Sequence, residues 1–152
     1  MDAKDRQIIR ELQINGRLTN QELAERVSLS PSPCLRRLRN LEQSGAILGY
    51  TALIDQKAYG LPVTVLIRIR LERHSEETIR VFETQIKRID EILDCFLMTG
   101  DSDYLLRVIV ESLEAYEDFI RREIHNIPGV ASIETSFAYG IVKQARVYPW
   151  RT

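Results

Sequence analysis

The sequence predicts an α+β protein with two domains, and three observations lead to that prediction. Three segments with apolar side chains at helical spacing occupy the first 45 residues. From residue 63, patterns follow in the order strand, helix, strand, strand, helix, strand. Residues 1–50 carry a net charge of +2 and residues 51–152 one of −3, so we expect the two parts to have different partners.

The overall composition is that of a globular protein, with 152 residues, 44% of them hydrophobic and 28% charged. No apolar run approaches the roughly 18 residues of a membrane span, and no apolar segment of the secretory type stands at the start. We therefore expect a cytoplasmic protein without membrane association. Two cysteines, Cys34 and Cys95, are too few for a metal cage or a disulfide framework, and we expect both to be small buried side chains.

The first two predicted helices have recognisable boundaries. The first presents three apolar residues on one face, Ile8, Ile9 and Leu12. We expect it to end at Asn15-Gly16, because glycine accepts the left-handed conformation that ends helices. The second begins with a capping box, in which the Thr19 hydroxyl accepts from the Glu22 amide and the glutamate reaches back. Its apolar residues are Leu23 and Val27.

The third predicted helix is amphipathic. Ser30 is its expected N-cap, two prolines fall within its first turn, and Gly45 ends it. Its apolar stripe consists of Cys34, Leu38 and Leu41, and its opposite side carries Arg36, Arg39, Asn40 and Gln43, with Arg37 at the flank. Two short helices followed by such a helix are typical of a helix-turn-helix domain, whose last helix enters the major groove of DNA.

The residue types on this outer side suit sequence reading, because arginine pairs with guanine and asparagine with adenine. We expect base or phosphate contacts from Arg36, Arg37, Arg39 and Asn40, and phosphate contacts from Ser30 and Ser32. The alternative is that the arginine-rich side is an ordinary solvated surface.

The second half of the chain predicts a ferredoxin-like βαββαβ domain, an antiparallel sheet with two helices on one face. Its predicted strands are Val63–Leu71, Leu93–Met98, Tyr104–Val110 and Val130–Val142. The first helix has its apolar stripe at Ile79, Phe82, Ile86 and Ile89, and the second at Leu113, Tyr116, Ile120, Ile124 and Ile127. We divide the chain into a winged-type helix-turn-helix domain (1–46), a strand and connector (47–62) and the ferredoxin-like domain (63–152).

No catalytic arrangement is recognisable in the sequence. His74 and His125 belong to no metal-spaced pair, and neither a glycine-rich phosphate loop nor a nucleophile elbow occurs. Asp101 and Asp103 could be paired acids, but two aspartates in a turn more often stabilise it. We therefore expect neither an enzyme, nor a cofactor, nor a metal site.

Several segments resemble the Lrp/AsnC regulators, the leucine-responsive or feast/famine family. Leu29–Leu38 (Leu-Ser-Pro-Ser-Pro-Cys-Leu-Arg-Arg-Leu) closely resembles their recognition-helix region, and Gly100–Leu106 resembles their effector-loop signature. Three further segments are similar to their carboxy-terminal domain: Glu114-Ala115-Tyr116, Pro128-Gly129-Val130 and Thr135-Ser136-Phe137. The resemblance extends from about Asp5 to Lys143.

The resemblance implies an amino-acid-responsive transcription regulator that binds double-stranded DNA. Members of the family dimerise through their carboxy-terminal sheets, often assemble further into octamers, and commonly bind the effector between dimers against the Gly-Asp-aromatic-Asp loop. Carried onto this chain, the implied effector residues are Gly100, Asp101, Asp103, Tyr104 and Leu105, with Thr135 and Ser136 as weaker candidates.

This sequence departs from the family pattern at three positions. Ser102 stands where the family usually has an aromatic residue, Ser28 where the turn usually has glycine, and Asp90 where a proline is common. A rival hypothesis is a ferredoxin-like metabolite sensor or enzyme without DNA binding. A chain that had lost DNA binding should also have lost the Arg/Asn side of the third helix, which is intact here.

Overall fold

The computed structural model of the protein describes residues 1–149 and separates into two compact units. The first, the N-terminal unit, comprises residues 1–53 together with residues 142–149. The second, the sheet unit, comprises residues 54–141. The N-terminal unit is therefore discontinuous in sequence, since residues 142–149 group with it rather than with the sheet that precedes them.

The N-terminal unit contains three helices, α1 (Ala3–Ile14), α2 (Asn20–Arg26) and α3 (Pro31–Gln43). The predicted capping box at the start of α2 is present: Thr19 N donates to Glu22 Oε2 at 2.7 Å, and Glu22 N donates to Thr19 Oγ1 at 3.3 Å. The core consists of Ile8, Leu23, Ala24, Val27, Cys34 and Leu41. Each large aliphatic side chain in it contributes about 1.5–3 kcal/mol by leaving water.

Three turns of this unit differ in whether they use the left-handed conformation. α1 ends where predicted, with Asn15 as its C-cap, but the Asn15 backbone is extended (φ −144°) and Gly16 is not left-handed, so the expected conformation of Gly16 is wrong. Ser28, between α2 and α3, has a φ of +53°. A side chain in that region costs about 1 kcal/mol, which glycine would avoid. Gly45 ends α3 with a φ of +73°, as predicted.

Residues 47–62 form no strand in the structure, so the predicted strand in this connector is wrong. Its apolar residues, which suggested a strand, are largely exposed: Leu48, Tyr50, Leu53, Ile54 and Tyr59. From the other end of the N-terminal unit, Tyr148 N donates to the Gln13 side chain on α1 at 3.1 Å.

The sheet unit has the predicted order of elements. Its strands are β1 (Val63–Leu71), β2 (Ile92–Leu97), β3 (Tyr104–Val110) and β4 (Val130–Phe137), and its helices are α4 (Glu76–Ile86) and α5 (Leu113–Phe119). All pairings are antiparallel, and the strands lie in the order β2-β3-β1-β4. This arrangement confirms the ferredoxin-like fold.

The two faces of the sheet have different surroundings. On one face, alternate residues of β1, such as Val65, Ile67 and Ile69, are buried against the helices with Phe82 and Phe119. The other face, here called the open face, is not covered by the helices. By strand register it carries Thr64, Leu66, Arg68, Arg70, Asp94, Phe96, Leu105, Arg107, Ile109, Ser132, Glu134 and Ser136.

Three predictions about the sheet unit need correction. A π-helical turn (Ile120–Ile124) follows α5, and the predicted Ile120 packs partly buried against the core next to Phe119, a buried residue that the predicted stripe left out. Leu113, predicted in the same apolar stripe, is 55% exposed. β4 ends at Phe137 rather than at residue 142. Cys95 is exposed, because β2 is an edge strand, whereas Cys34 is buried as expected.

Candidate DNA interface and effector loop

The start of α3 leaves a hydroxyl group available. Ser30 occupies the N-cap position, but its side chain makes no capping hydrogen bond, and Pro31 at the first helical position has no N–H to satisfy. The side-chain amide of Asn20 donates to the carbonyl of Pro31 at 2.9 Å, which fastens the start of α3 to α2. The Ser30 and Ser32 hydroxyls therefore lie at the end of the helix whose N–H groups favour a bound anion.

The outer face of α3, defined here by Arg36, Arg39 and Asn40, is exposed. Together with Ser32, Leu35 and Gln43, these residues line a shallow depression of about 260 Å³. Within the described chain, none of the three side chains forms an ion pair or a hydrogen bond with another residue. The outer face thus presents two guanidinium groups and one amide to an external partner, which is the chemistry of base and phosphate recognition.

Arg37 lies in different surroundings, although the sequence grouped it with the outer face. Its Nη1 donates to Asp2 Oδ2 at 2.7 Å and to Asp5 Oδ1 at 2.8 Å. The hydrogen bonds that Arg37 donates to Asp5 and Asp2 raise the pKa of its guanidinium group. The pKa of Asp2 is lowered, first by the backbone N–H of Asp5 and then by Arg37. Two carboxylates at the start of α1 thus already bind this predicted DNA contact.

The loop between β2 and β3 (residues 98–103) contains the effector-loop signature. Gly100 has a φ of +107°, a conformation that a side chain would strain. The loop is closed by Met98 N, which donates to the Asp103 carbonyl at 2.8 Å, and anchored by Asp103 N, which donates to the Ile69 carbonyl at 2.9 Å. Asp101 is exposed and has no side-chain partner in the described chain.

Both carboxylate oxygens of Asp103 have partners within the chain. Oδ2 accepts from the backbone N–H of Leu71 at 2.7 Å, and Oδ1 lies 2.7 Å from Nε2 of His74. The Leu71 N–H, followed by His74, lowers the pKa of this carboxyl group. The geometry therefore fits the alternative in which the aspartate stabilises the turn, rather than a carboxylate waiting for an ammonium group.

Tyr104, a further predicted effector residue, lies in the core. Its side chain is 3% exposed, its hydroxyl donates to Glu83 Oε1 at 3.0 Å, and its ring packs on Phe82 with centroids 4.6 Å apart. Burial, and next the Glu83 carboxylate, raises the pKa of Tyr104 to about 12. Leu105, the next residue, points to the open face and is half-buried.

Thr135 and Ser136 lie on opposite faces of β4, so one chain does not bring both to the same site. The Thr135 hydroxyl is hydrogen-bonded to that of Tyr116 on α5, whereas Ser136 lies on the open face opposite Leu66. Thr135 and Ser136 lie opposite Ile67 and Leu66 of β1, whereas the β2–β3 loop is anchored at Ile69. Both residues are therefore two to three residues of β1, or about 7–10 Å, from the anchor of the loop. The predicted effector residues therefore divide into several separate groups within one chain.

Two sets of partners were not expected from the sequence: Asp2 and Asp5 for Arg37, and His74 for Asp103. A signal for the second existed in the topology. In the βαββαβ arrangement β1 lies beside β3, so the residues that follow β1 come next to the β2–β3 loop. Within residues 1–149, no group of three or more His, Cys, Asp and Glu residues could hold a metal ion. In the same range no helix is both long and apolar enough to cross a membrane.

Three helices with a free cationic outer face, joined to a ferredoxin-like sheet, define the class of DNA-binding transcription regulators. Comparison with known proteins agrees. The profile described as winged helix-turn-helix DNA-binding matches residues 1–47, and that described as Lrp/AsnC ligand binding domain matches residues 64–148. The chain belongs to the Lrp/AsnC family of transcription regulators.

Individual relatives are similar over almost the whole chain. The leucine-responsive regulatory protein of Escherichia coli (strain K12) is 39% identical over 145 residues, 95% of this chain and 88% of that protein. A transcriptional regulator of Neisseria meningitidis, solved in complex with L-Met, has a TM-score of 0.93 at 37% identity and covers 98% of this chain and 96% of its own. AsnC of E. coli has a TM-score of 0.89 at 25% identity, covering 98% and 99%.

Proposed function

We propose that this regulator binds double-stranded DNA through the outer face of α3 and that an amino acid bound to the sheet unit controls the binding. The observation that carries the first part is that Arg36, Arg39 and Asn40 are exposed and bind no other residue of the described chain. A buried or internally paired arginine would have to break contacts before reaching DNA, and these do not. Because its target is chromosomal DNA, we expect the protein to act in the cytoplasm.

Within this interface the residues have different roles. Arg36, Arg39 and Asn40 read base edges or bind the neighbouring phosphates, and the Ser30 and Ser32 hydroxyls donate to a phosphate at the start of the helix. The test is a gel shift on the DNA upstream of the protein's own gene at several salt concentrations. If the logarithm of the binding constant falls linearly with the logarithm of the salt concentration, the result would support electrostatic contact with DNA. Binding to no DNA at any salt concentration would contradict the proposal.

The proposed effector is a free amino acid. The Neisseria regulator named above was solved with L-Met, and the E. coli relative is named for its response to leucine. In this chain, Gly100 and Asp101 on the β2–β3 loop and Leu105 on the open face remain available to a ligand. Asp103 and Tyr104 do not contact the ligand but stabilise the conformation of that loop. Thr135 and Ser136 would reach the ligand only if a neighbouring subunit brought one of them there.

Titration calorimetry against the twenty amino acids tests the effector site. We expect one or a few amino acids to bind, and Asp101→Asn to weaken binding without changing the melting temperature. Glu111→Gln is the matched control, because Glu111 is an exposed acid that follows β3 and lies outside the loop. This variant should bind the amino acid as the wild type does. If no amino acid binds, or if Asp101→Asn binds as tightly as the wild type, the site is wrong.

We also propose that the protein is a homodimer formed through the open face, which can assemble further, as far as an octamer. Besides Leu105, which is assigned to the effector site, three apolar side chains lie on that face without cover from the helices: Leu66, Phe96 and Ile109. A two-fold dimer reads two half-sites about one helical turn of DNA apart, which one small domain does not. Light scattering at micromolar concentration should give at least the mass of a dimer. Leu66→Lys should lower that mass, and a monomeric wild type would contradict the proposal.

A further inference from the structure

Arg37, Asp2 and Asp5 form a closed group of charges in the N-terminal unit, here called the Arg37 clasp. Asp2 N donates to Asp5 Oδ2 and Asp5 N donates to Asp2 Oδ1, both at 2.9 Å. The second oxygen of each carboxylate accepts from Arg37 Nη1, at 2.7 Å and 2.8 Å. Each carboxylate therefore caps α1 with one oxygen and binds α3 with the other.

The surroundings of the clasp favour its persistence. The Asp5 side chain is 16% exposed, the Arg37 side chain 32% and the Asp2 side chain 54%, so water competes least for the hydrogen bond between Arg37 and Asp5. Charge-assisted hydrogen bonds are about twice as strong as neutral ones. To reach a phosphate, Arg37 would have to give up two such bonds and leave two carboxylates unpaired beside the negatively charged DNA.

The position of Arg37 on α3 gives the clasp its consequence. It follows Arg36 directly and precedes Asn40 by three residues, which is close to one helical turn. The contacts of Arg37 with the start of α1 restrain the rotation of α3 about its own axis, in addition to the burial of Cys34 and Leu41 in the core. Because successive helical residues point about 100° apart, that rotation decides where the Arg36 and Asn40 side chains point.

We propose that Arg37 is a positioning residue rather than a DNA contact, and that the Arg37 clasp sets the sequence preference of the outer face by fixing the rotation of α3. The inference rests on the proposed DNA contacts of α3. It assigns to Asp2 and Asp5, two acids on a different helix, an influence on which bases are read.

The experiment uses the full chain and two duplexes of equal length, one selected by the wild-type protein from a random pool and one unselected. Arg37→Gln opens the clasp from α3, and the double variant Asp2→Asn/Asp5→Asn opens it from α1. Each should lower the discrimination between the duplexes about tenfold, the size of one mismatched base pair. Combining all three substitutions should cost no more than either variant alone, because both remove the same contact.

The salt dependence separates positioning from direct contact. Arg36→Gln should reduce the slope of log affinity against log salt by about one per bound chain. Arg37→Gln should leave that slope at the wild-type value. The matched control is Arg26→Gln, which breaks an ion pair of 3.1 Å with Glu11 that does not involve α3 and should leave both discrimination and slope unchanged.

Two results would overturn the inference. One is an Arg37→Gln slope that falls as far as that of Arg36→Gln, which would make Arg37 a phosphate contact. The other is wild-type discrimination in the double aspartate variant, which keeps the test decisive even if Arg37→Gln fails to fold. A failure of the proposed function is recognised separately, because Arg36→Gln would then leave affinity and slope unchanged.

Discussion

The outer face of α3 and the β2–β3 loop were both predicted to be binding sites, yet the polar side chains of the two regions have different surroundings in the fold. On the outer face, the predicted polar side chains are exposed and bind nothing else in the described chain. At the loop, Asp103 and Tyr104 have their polar atoms occupied by Leu71, His74 and Glu83. Substitutions on the outer face should therefore change binding and spare the fold, whereas substitutions at these two loop residues should change the fold first.

The largest effect is expected on the outer face. Arg36→Ala or Asn40→Ala should weaken binding to a selected duplex by about 1–3 kcal/mol where the residue reads a base. Because neither side chain has a partner within the chain, the melting temperature should stay at the wild-type value. Fluorescence anisotropy and a thermal melt measure the two quantities. A large drop in melting temperature with unchanged affinity would reverse the contrast between the two regions.

A smaller effect is expected when the loop loses its aspartate. Asp103→Ala removes the acceptor of two hydrogen bonds and should lower the free energy of unfolding by about 1–2 kcal/mol. Urea unfolding measures it, and Asp101→Ala, which removes an exposed acid without a partner, is the control that should unfold like the wild type. Equal unfolding of both variants and the wild type would mean that the loop does not depend on Asp103.

The same carboxyl group predicts a pH dependence. Its pKa is lowered in the folded protein, so its contribution to stability is present above the ordinary value of 3.8 and is lost as the pH falls through the folded pKa. The difference in unfolding free energy between wild type and Asp103→Asn should therefore shrink as the pH falls below about 4. A difference that grows on acidification would have the wrong sign for this interaction.

The smallest effect concerns the turn before α3. Ser28→Gly should raise the free energy of unfolding of the N-terminal unit by a few tenths to about 1 kcal/mol, because glycine adopts a φ of +53° without strain. DNA affinity should not change, since Ser28 lies outside the outer face. Ser44→Gly, at a right-handed position after α3, is the control and should not stabilise. A loss of stability on Ser28→Gly would show that the strain is absent.

How much the sequence predicts depends on whether the deciding contact is local. The inner and outer sides of α3 followed from helical periodicity, and the order of strands and helices followed from a change of period. The partners of Arg37 lie 32 and 35 residues away in sequence, and those of Asp103 lie 29 and 32 residues away. No local sequence pattern reveals contacts at such separations. Thr135 and Ser136 were grouped by resemblance alone, although a strand turns neighbouring residues to opposite faces.

The π-helical turn shows a different limit. Phe119 is buried three residues after Tyr116, and the π-helical turn then places the next fully buried side chain, Ile124, five residues further on. Ile120 is partly buried against the same core, so the apolar pattern does not show where the turn widens, and the packing of the core decides it. The exposed connector illustrates the reverse case, because its apolar residues were sufficient for a strand pattern but have no neighbouring strand with which to pair.

The return of residues 142–149 to the N-terminal unit has a consequence for folding during synthesis. The three helices emerge from the ribosome first, but the N–H of Tyr148 reaches Gln13 only after 135 further residues have been made. The helices can form early from local contacts, while the last segment of their unit arrives only after the sheet unit is complete. A truncated DNA-binding fragment that stops at residue 53 would lack this segment. Joining residues 142–149 to that fragment through a short linker would restore the missing segment.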